Sequence, residues 1–132
     1  MKKIYLSLFF AILIVGFTSC RKEYISNPVD TNQTIVISVP DEAWATSDGI
    51  HYSASLNVPE ITPYFNETGE VLVYLSYGDG IYEQIPEITN NISYTFSHSP
   101  GNLTIYAQDL NESGIIPPYN TTVKIVLVHS SY

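Results

Sequence analysis

Three histidines are the side chains in this sequence that could most simply act as a catalytic base. Histidine is the residue type that titrates near neutral pH, and His51, His98 and His129 are the three present. None belongs to a recognisable motif, because the chain has no G-x-S-x-G, H-E-x-x-H, G-x-G-x-x-G or P-loop sequence. We therefore predict that all three are surface histidines and that the protein is not an enzyme.

The acidic residues do not form a recognisable ligand set. Asp79 lies in a Gly-Asp-Gly turn with Glu83 nearby, which is too few oxygen ligands for a calcium loop. Asp41-Glu42, and Glu67 with Glu70, are acidic pairs, as glycosidase carboxylates are. The function of such a pair depends on a spatial separation that the sequence does not give. We expect solvated loop charges, and neither a metal nor another cofactor.

Tyrosine is the residue type in surplus, with 11 copies in 132 residues. Aromatic rings with a polar group suit both sheet surfaces and the recognition of sugars or partner proteins. If Tyr74, Tyr94 and Tyr106 share one sheet face, they form an exposed strip that could contact a ligand. The alternative is that these tyrosines cover their cross-strand neighbours and the edges of the core.

The N-terminus has the pattern of an export signal. Lys2 and Lys3 precede the apolar run Ile4–Phe17, which is shorter than the ~20 residues that a membrane-spanning helix needs. Phe17-Thr18-Ser19-Cys20 resembles the lipobox of bacterial lipoproteins, with phenylalanine where leucine is usual. The resemblance implies a signal peptide over residues 1–19, cleaved before Cys20, and fatty acyl chains such as palmitate on the cysteine. Two or three acyl chains would hold the protein on a membrane permanently.

The charge and the residues after Cys20 indicate a compartment. Lipoproteins that stay in the inner membrane typically carry an acidic residue directly after the lipidated cysteine. This chain has Arg21 at that position, so its resemblance to lipoproteins implies the outer membrane. Whether the protein faces the periplasm or the cell surface stays open.

The net charge of −8 excludes the cationic surface that nucleic-acid binding requires. Residues 20–33 are polar and aperiodic, which predicts a lipidated cysteine followed by a flexible tether.

From residue 34 to 132 the pattern predicts one all-β domain. Seven strands separated by turn residues are expected, and the alternation from Ile50 to Val58 is the clearest. Residues 71–75 and 123–128 are nearly all apolar and predict central strands. Thr62, Pro63 and Gly69 predict one short helical turn near residues 62–68. The expected fold is an antiparallel sandwich, immunoglobulin-like in architecture, with a small barrel as the alternative. The other expected strands cover residues 34–39, 81–85, 92–96 and 103–107.

Several segments together resemble a family of small uncharacterised lipoproteins from Bacteroidota. They are Trp44, Gly49 to Tyr52, Val58 to Thr62, Gly69 to Leu75, Tyr82 to Pro86 and Val123 to Val128. In that family a lipobox is followed by a variable tether and a β-sandwich domain. The resemblance implies a fold and a location, and it implies no reaction.

The sequence thus predicts a non-catalytic, lipid-anchored β-sandwich of the cell envelope that acts as a structural or interaction module. The membrane is its expected partner through Cys20, and the protein or glycan that it binds is not identified by the sequence. The alternative is a carbohydrate-binding surface lipoprotein that uses exposed tyrosines.

Overall fold

Nine strands and two short helical segments form the computed structural model, which describes residues 31–114 and 120–130. The strands are β1 (Gln33–Val39), β2 (Ala45–Thr46), β3 (His51–Val58), β4 (Glu70–Ser76), β5 (Glu83–Ile85), β6 (Glu87–Thr89), β7 (Ile92–Ser99), β8 (Gly101–Asp109) and β9 (Thr121–Val128). A 3-10 turn covers Asp41–Ala43, and helix α1 covers Pro63–Thr68. The predicted signal peptide, Cys20 and most of the predicted tether lie outside the described residues.

The strands form two antiparallel sheets. Sheet A has the order β1-β9-β4-β5, and sheet B has the order β2-β3-β8-β7-β6. The predicted all-β sandwich is confirmed, and the sheets do not close into the small barrel that was the alternative.

The core lies between the two sheets because apolar residues alternate with polar ones along the long strands. In β3, every second residue from Tyr52 to Val58 is buried. In β9, the buried residues run from Thr121 to Leu127 with the same period. The side chains with no measurable exposure are Ile61, Val73, Leu75, Leu103, Ile105, Val123, Ile125 and Leu127.

Strands β4 and β9 are the central pair of sheet A, as their apolar composition predicted. Their inward residues are fully buried, and their outward residues Leu72, Tyr74 and Val126 are half-buried. The additional strands β2 and β6, of two and three residues, were not predicted. Strands this short contain too few residues to show a period of two.

Helix α1 forms where the sequence predicts a helical turn. The Thr62 side chain accepts a hydrogen bond of 3.1 Å from the Phe65 backbone N–H, and Pro63 occupies the first turn. The following Gly69 has a φ of −97°, which any residue can adopt. Its role is steric, because a Cβ at this position would collide with the buried Phe65 ring.

No helix in the described parts of the chain is long and apolar enough to cross a membrane.

Candidate functional site

The turn before β3 fixes the position of His51. One oxygen of Asp48 accepts hydrogen bonds of 2.8 Å from the backbone N–H groups of Ile50 and His51, and the other lies 2.7 Å from His51 Nδ1. The His51 backbone and side chain, together with Ile50, hold the pKa of the Asp48 carboxyl well below its usual range. His51 itself is exposed, as predicted.

The other two histidines are not on the open surface, contrary to the prediction. His98 is half-buried, and its Nδ1 lies 2.9 Å from Asn66 Oδ1, so it joins β7 to α1. His98 lies on the same side of β7 as Tyr94 and Phe96, whose side chains point towards the core. His129 is also half-buried, and its ring packs edge-on against Phe65 at a centroid distance of 4.9 Å. Both side chains therefore tie α1 to the sandwich.

No hydroxyl group of the described residues lies within hydrogen-bonding distance of a ring nitrogen of His51. Asp48 is the ring's hydrogen-bond partner in this part of the chain. A serine or threonine nucleophile needs such a contact with its general base. Among the described residues there is also no cluster of three or more histidine, cysteine, aspartate or glutamate side chains that could hold a metal ion.

The three tyrosines considered as a possible strip lie in three different parts of the sandwich. Tyr94 faces the core and is 3% exposed. Tyr74 lies on the outer face of sheet A, because its neighbours Val73 and Leu75 fill the core. Tyr106 lies on the outer face of sheet B and is 43% exposed. The three tyrosines do not share a face, because the strands place these residues at different parities and in different sheets. Of the three, Tyr106 is the exposed ring.

Tyr74 instead contributes to a cation–π cluster. Lys124, which is opposite Tyr74 across the β4–β9 pair, places its Nζ 4.6 Å from the Tyr74 ring centroid and 4.2 Å from that of Tyr82. Lys124 is the only lysine or arginine after residue 22. The only cationic side chain after residue 22 is therefore in contact with two aromatic rings.

Tyr94 belongs to a second cluster, at the margin where the chain passes from β5 in sheet A to β6 in sheet B. The ring centroids of Tyr77 and Tyr94 are 5.8 Å apart, and the Tyr77 hydroxyl donates a hydrogen bond of 3.5 Å to Glu87 Oε1. Burial raises the pKa of both phenols. Burial and the nearby Glu83 raise the pKa of the Glu87 carboxyl. Tyr77, Tyr94 and Glu87 therefore form a cluster of ring and hydrogen-bond contacts at this margin.

The outer face of sheet B is the surface that the sequence analysis missed. From Ser53 onward in β3, and along β7 and β8, its side chains bear hydroxyl or amide groups and carry no formal charge, and His51 borders this surface at the start of β3. We call this surface the neutral face, formed by Ser53, Ser55, Asn57, Ser93, Thr95, Ser97, Ser99, Asn102, Thr104, Tyr106 and Gln108. The signal in the sequence is the run of alternate Ser, Thr, Asn and Gln residues in these strands.

Cross-strand hydrogen bonds order the neutral face. Ser55 Oγ and Thr104 Oγ1 are 3.3 Å apart, and Asn102 Nδ2 donates to Thr104 Oγ1 at 3.2 Å. Ser97 Oγ lies 3.2 Å from the Tyr106 hydroxyl. Side-chain hydrogen bonds thus link β3 to β8 and β7 to β8 across the neutral face.

A shallow depression of about 470 Å³ opens beside the neutral face. The Tyr106 side chain and the β2–β3 hairpin form its walls, and its surface is mainly apolar. The lining residues are Ala45, Thr46, Ser47, His51, Tyr52, Ser53 and Tyr106. The depression combines an aromatic ring, hydroxyl groups and an imidazole, and the Asp48 carboxylate is in contact with His51.

Comparison with known proteins identifies no relative of this chain. No protein-family model matches it, and neither a curated protein nor a solved structure does.

Proposed function

We propose that this protein is a non-catalytic interaction module of the bacterial cell envelope, anchored in the outer membrane by fatty acyl chains on Cys20. The export signal, the lipobox-like segment and the polar stretch after it support the anchor. The side of the outer membrane that the domain faces is not part of the proposal.

A binding role is favoured over catalysis by the partners of the histidines. His98 contacts Asn66, and His129 packs on Phe65, so both stabilise α1. His51 is held by Asp48 and has no hydroxyl group of the described residues in reach. None of these arrangements provides a nucleophile activated by a base.

The neutral face is the structural feature that best supports an interaction role. The chain has 13 acidic residues and a net charge of −8, yet the outward side chains of β3, β7 and β8 include no acid between Ser53 and Asn57 or between Ser93 and Ser99. A charge-free array of donors and acceptors is complementary to a neutral polar ligand. A charged ligand would find no counter-ion on this face.

Carbohydrate binding is the second candidate, and the depression beside Tyr106 favours it. A sugar presents an apolar ring face and a rim of hydroxyl groups. The 43%-exposed Tyr106 ring offers an aromatic surface for the first, and Ser53 and Thr46 offer hydroxyl groups for the second. Tyr74 and Tyr94 are not part of this candidate, because neither lies on the neutral face.

The test is retention of solubilised envelope polysaccharide and protein fractions by the immobilised full chain. Tyr106→Ala should reduce retention at least tenfold, because it removes the exposed ring of the depression. Tyr64→Ala is the matched control, since Tyr64 is 70% exposed on α1 and lies outside the neutral face. Equal losses in both variants, or turnover of a bound component by the wild-type chain, would contradict the proposal.

A glycan array separates the two candidates. Binding of a defined glycan that depends on Tyr106 supports carbohydrate recognition. Binding that occurs only in the protein fraction supports the structural or interaction module and removes the carbohydrate alternative.

A further inference from the structure

The four edge strands of the two sheets are not protected equally against pairing with another strand. β2 has two residues, and β5 and β6 have three each. β5 and β6 also begin with Glu83 and Glu87, respectively. Short length and charge are two of the features that prevent edge-to-edge pairing. β1 is the exception, with seven residues.

Among the residues that the structure describes, β1 has none of the features that block pairing. Its sequence, Gln33 to Val39, contains no charged residue, no proline and no glycine. It pairs with β9 over all seven residues in unbroken register, so there is no bulge that would bend the edge away. In the described parts of the chain, β9 is its one strand partner. Every second residue of β1 therefore presents its backbone N–H and C=O away from β9.

We propose that β1 pairs antiparallel with β1 of a second copy of this chain, so that the two A sheets become one continuous sheet. The interface is isologous, and its two-fold axis passes beside Val36, the middle residue of the strand. Val36 then lies opposite Val36 of the second copy, and Ile35 lies opposite Ile37.

The side chains of β1 favour this register. Val36 is 57% exposed on the outer face, although it is an aliphatic residue in the middle of a strand. Ile35 and Ile37 point towards the core and are only half-buried, because β1 is the last strand of sheet A. A second copy in this register covers all three with side chains of the same kind.

The arrangement of Ile35 and Ile37 on either side of Val36 is symmetric and favours a second copy over an unrelated strand, and the local charge does not oppose the pairing. Two chains that each carry −8 repel one another when acidic surfaces meet. At the β1 edge, the neighbouring outward residues of β9 are Thr122, Lys124 and Val126, none of which is acidic. The outward residues of β9 beside the open edge therefore add no repulsion between acidic groups to the pairing. The pairing requires neither the lipid anchor nor a ligand, so its test is independent of the proposed function.

The mass of the full chain in mild detergent, measured by sedimentation or native mass spectrometry, tests the pairing. Wild type should be a dimer, and Val36→Lys should weaken dimerisation at least tenfold, because two lysines would meet at the axis. Ile88→Lys is the matched control, since Ile88 is 68% exposed and points outward from the edge strand β6. A monomeric wild type, or equal dimerisation of Val36→Lys and wild type, would overturn the inference.

A cysteine variant keeps the test valid even where the lysine variant does not fold. Val36→Cys should give a disulfide-linked dimer on mild oxidation, since residues that face each other across an antiparallel pair are close enough for a disulfide. Wild type controls for cross-linking through Cys20, and Ile88→Cys controls for random collision. Cross-linking of Val36→Cys no greater than in these two controls would overturn the inference.

Discussion

The hydroxyl group of Tyr106 lies 3.2 Å from Ser97 Oγ on the neighbouring strand β7, and this contact aligns the Tyr106 ring across the neutral face. The ring and the hydroxyl group have separable roles in the proposed binding. The ring supplies the aromatic wall of the depression. The hydroxyl group restricts the orientation of the ring.

Tyr106→Phe should therefore retain binding to envelope fractions within about threefold, because it keeps the ring. Loss of one exposed hydrogen bond should lower the free energy of unfolding by only about 0.5–1 kcal/mol. Retention and thermal melting of Tyr106→Phe, Tyr106→Ala and wild type provide the measurement. A phenylalanine variant as defective as the alanine variant would contradict the view that the ring alone is sufficient for binding.

Gly69→Ala should destabilise the domain by about 1–3 kcal/mol. The new Cβ would collide with the Phe65 ring, which is 2% exposed and has little free space around it. Chemical denaturation measures the loss, and Glu67→Ala, an exposed substitution in the same helix, is the control.

A double-mutant cycle identifies the cause of the Gly69 effect. Phe65→Leu removes the ring, so Gly69→Ala should cost less in that background, by at least about 0.5 kcal/mol. Equal costs in the two backgrounds would exclude the steric role of Gly69.

Glu87→Gln should stabilise the protein at neutral pH. Burial and the nearby Glu83 raise the pKa of the Glu87 carboxyl above its ordinary value of 4.5. The folded state thus favours the protonated acid. This preference stabilises the folded protein at pH values below the pKa that Glu87 has in the unfolded chain. The stabilisation is lost as the pH rises through the higher pKa that Glu87 has in the folded protein. Glutamine carries no charge at any pH. It therefore removes the loss of folding stability that the Glu87 carboxylate causes at pH values above its pKa in the folded protein.

The expected gain is a rise in Tm of about 1–3 °C at pH 7, because the site is partly open to solvent. The gain should vanish below about pH 4, where Glu87 is protonated in both states. Thermal melts at both pH values measure it, with Glu60→Gln at an exposed turn position as the control. A gain that persists unchanged at low pH would show that the cause is not the charge.

The long elements could be predicted from the sequence because their signals are local. The alternation in β3 and the apolar runs of β4 and β9 correspond to strands in the structure, and the pattern of Thr62 and Pro63 corresponds to helix α1. The end of β7 was placed too early, at Phe96 instead of Ser99, because Ser97 and Ser99 are polar. Both side chains lie on the neutral face.

The candidate site could not be predicted because it depends on the register between strands. Tyr94 and Tyr106 were placed together from composition alone. Their opposite orientation follows from the pairing of Tyr94 with Ala107 and of Thr95 with Tyr106. The burial of His98 likewise depends on the position of Asn66, 32 residues earlier in the chain.

The intact mass of the protein extracted from membranes tests the proposed anchor most directly. The proposal predicts a chain that begins at Cys20 and carries the added mass of a diacylglyceryl group and of any N-acyl chain. Cys20→Ala should abolish that modification. An unmodified Cys20 thiol in wild type, or a mass that still includes residues 4–17, would contradict the proposal.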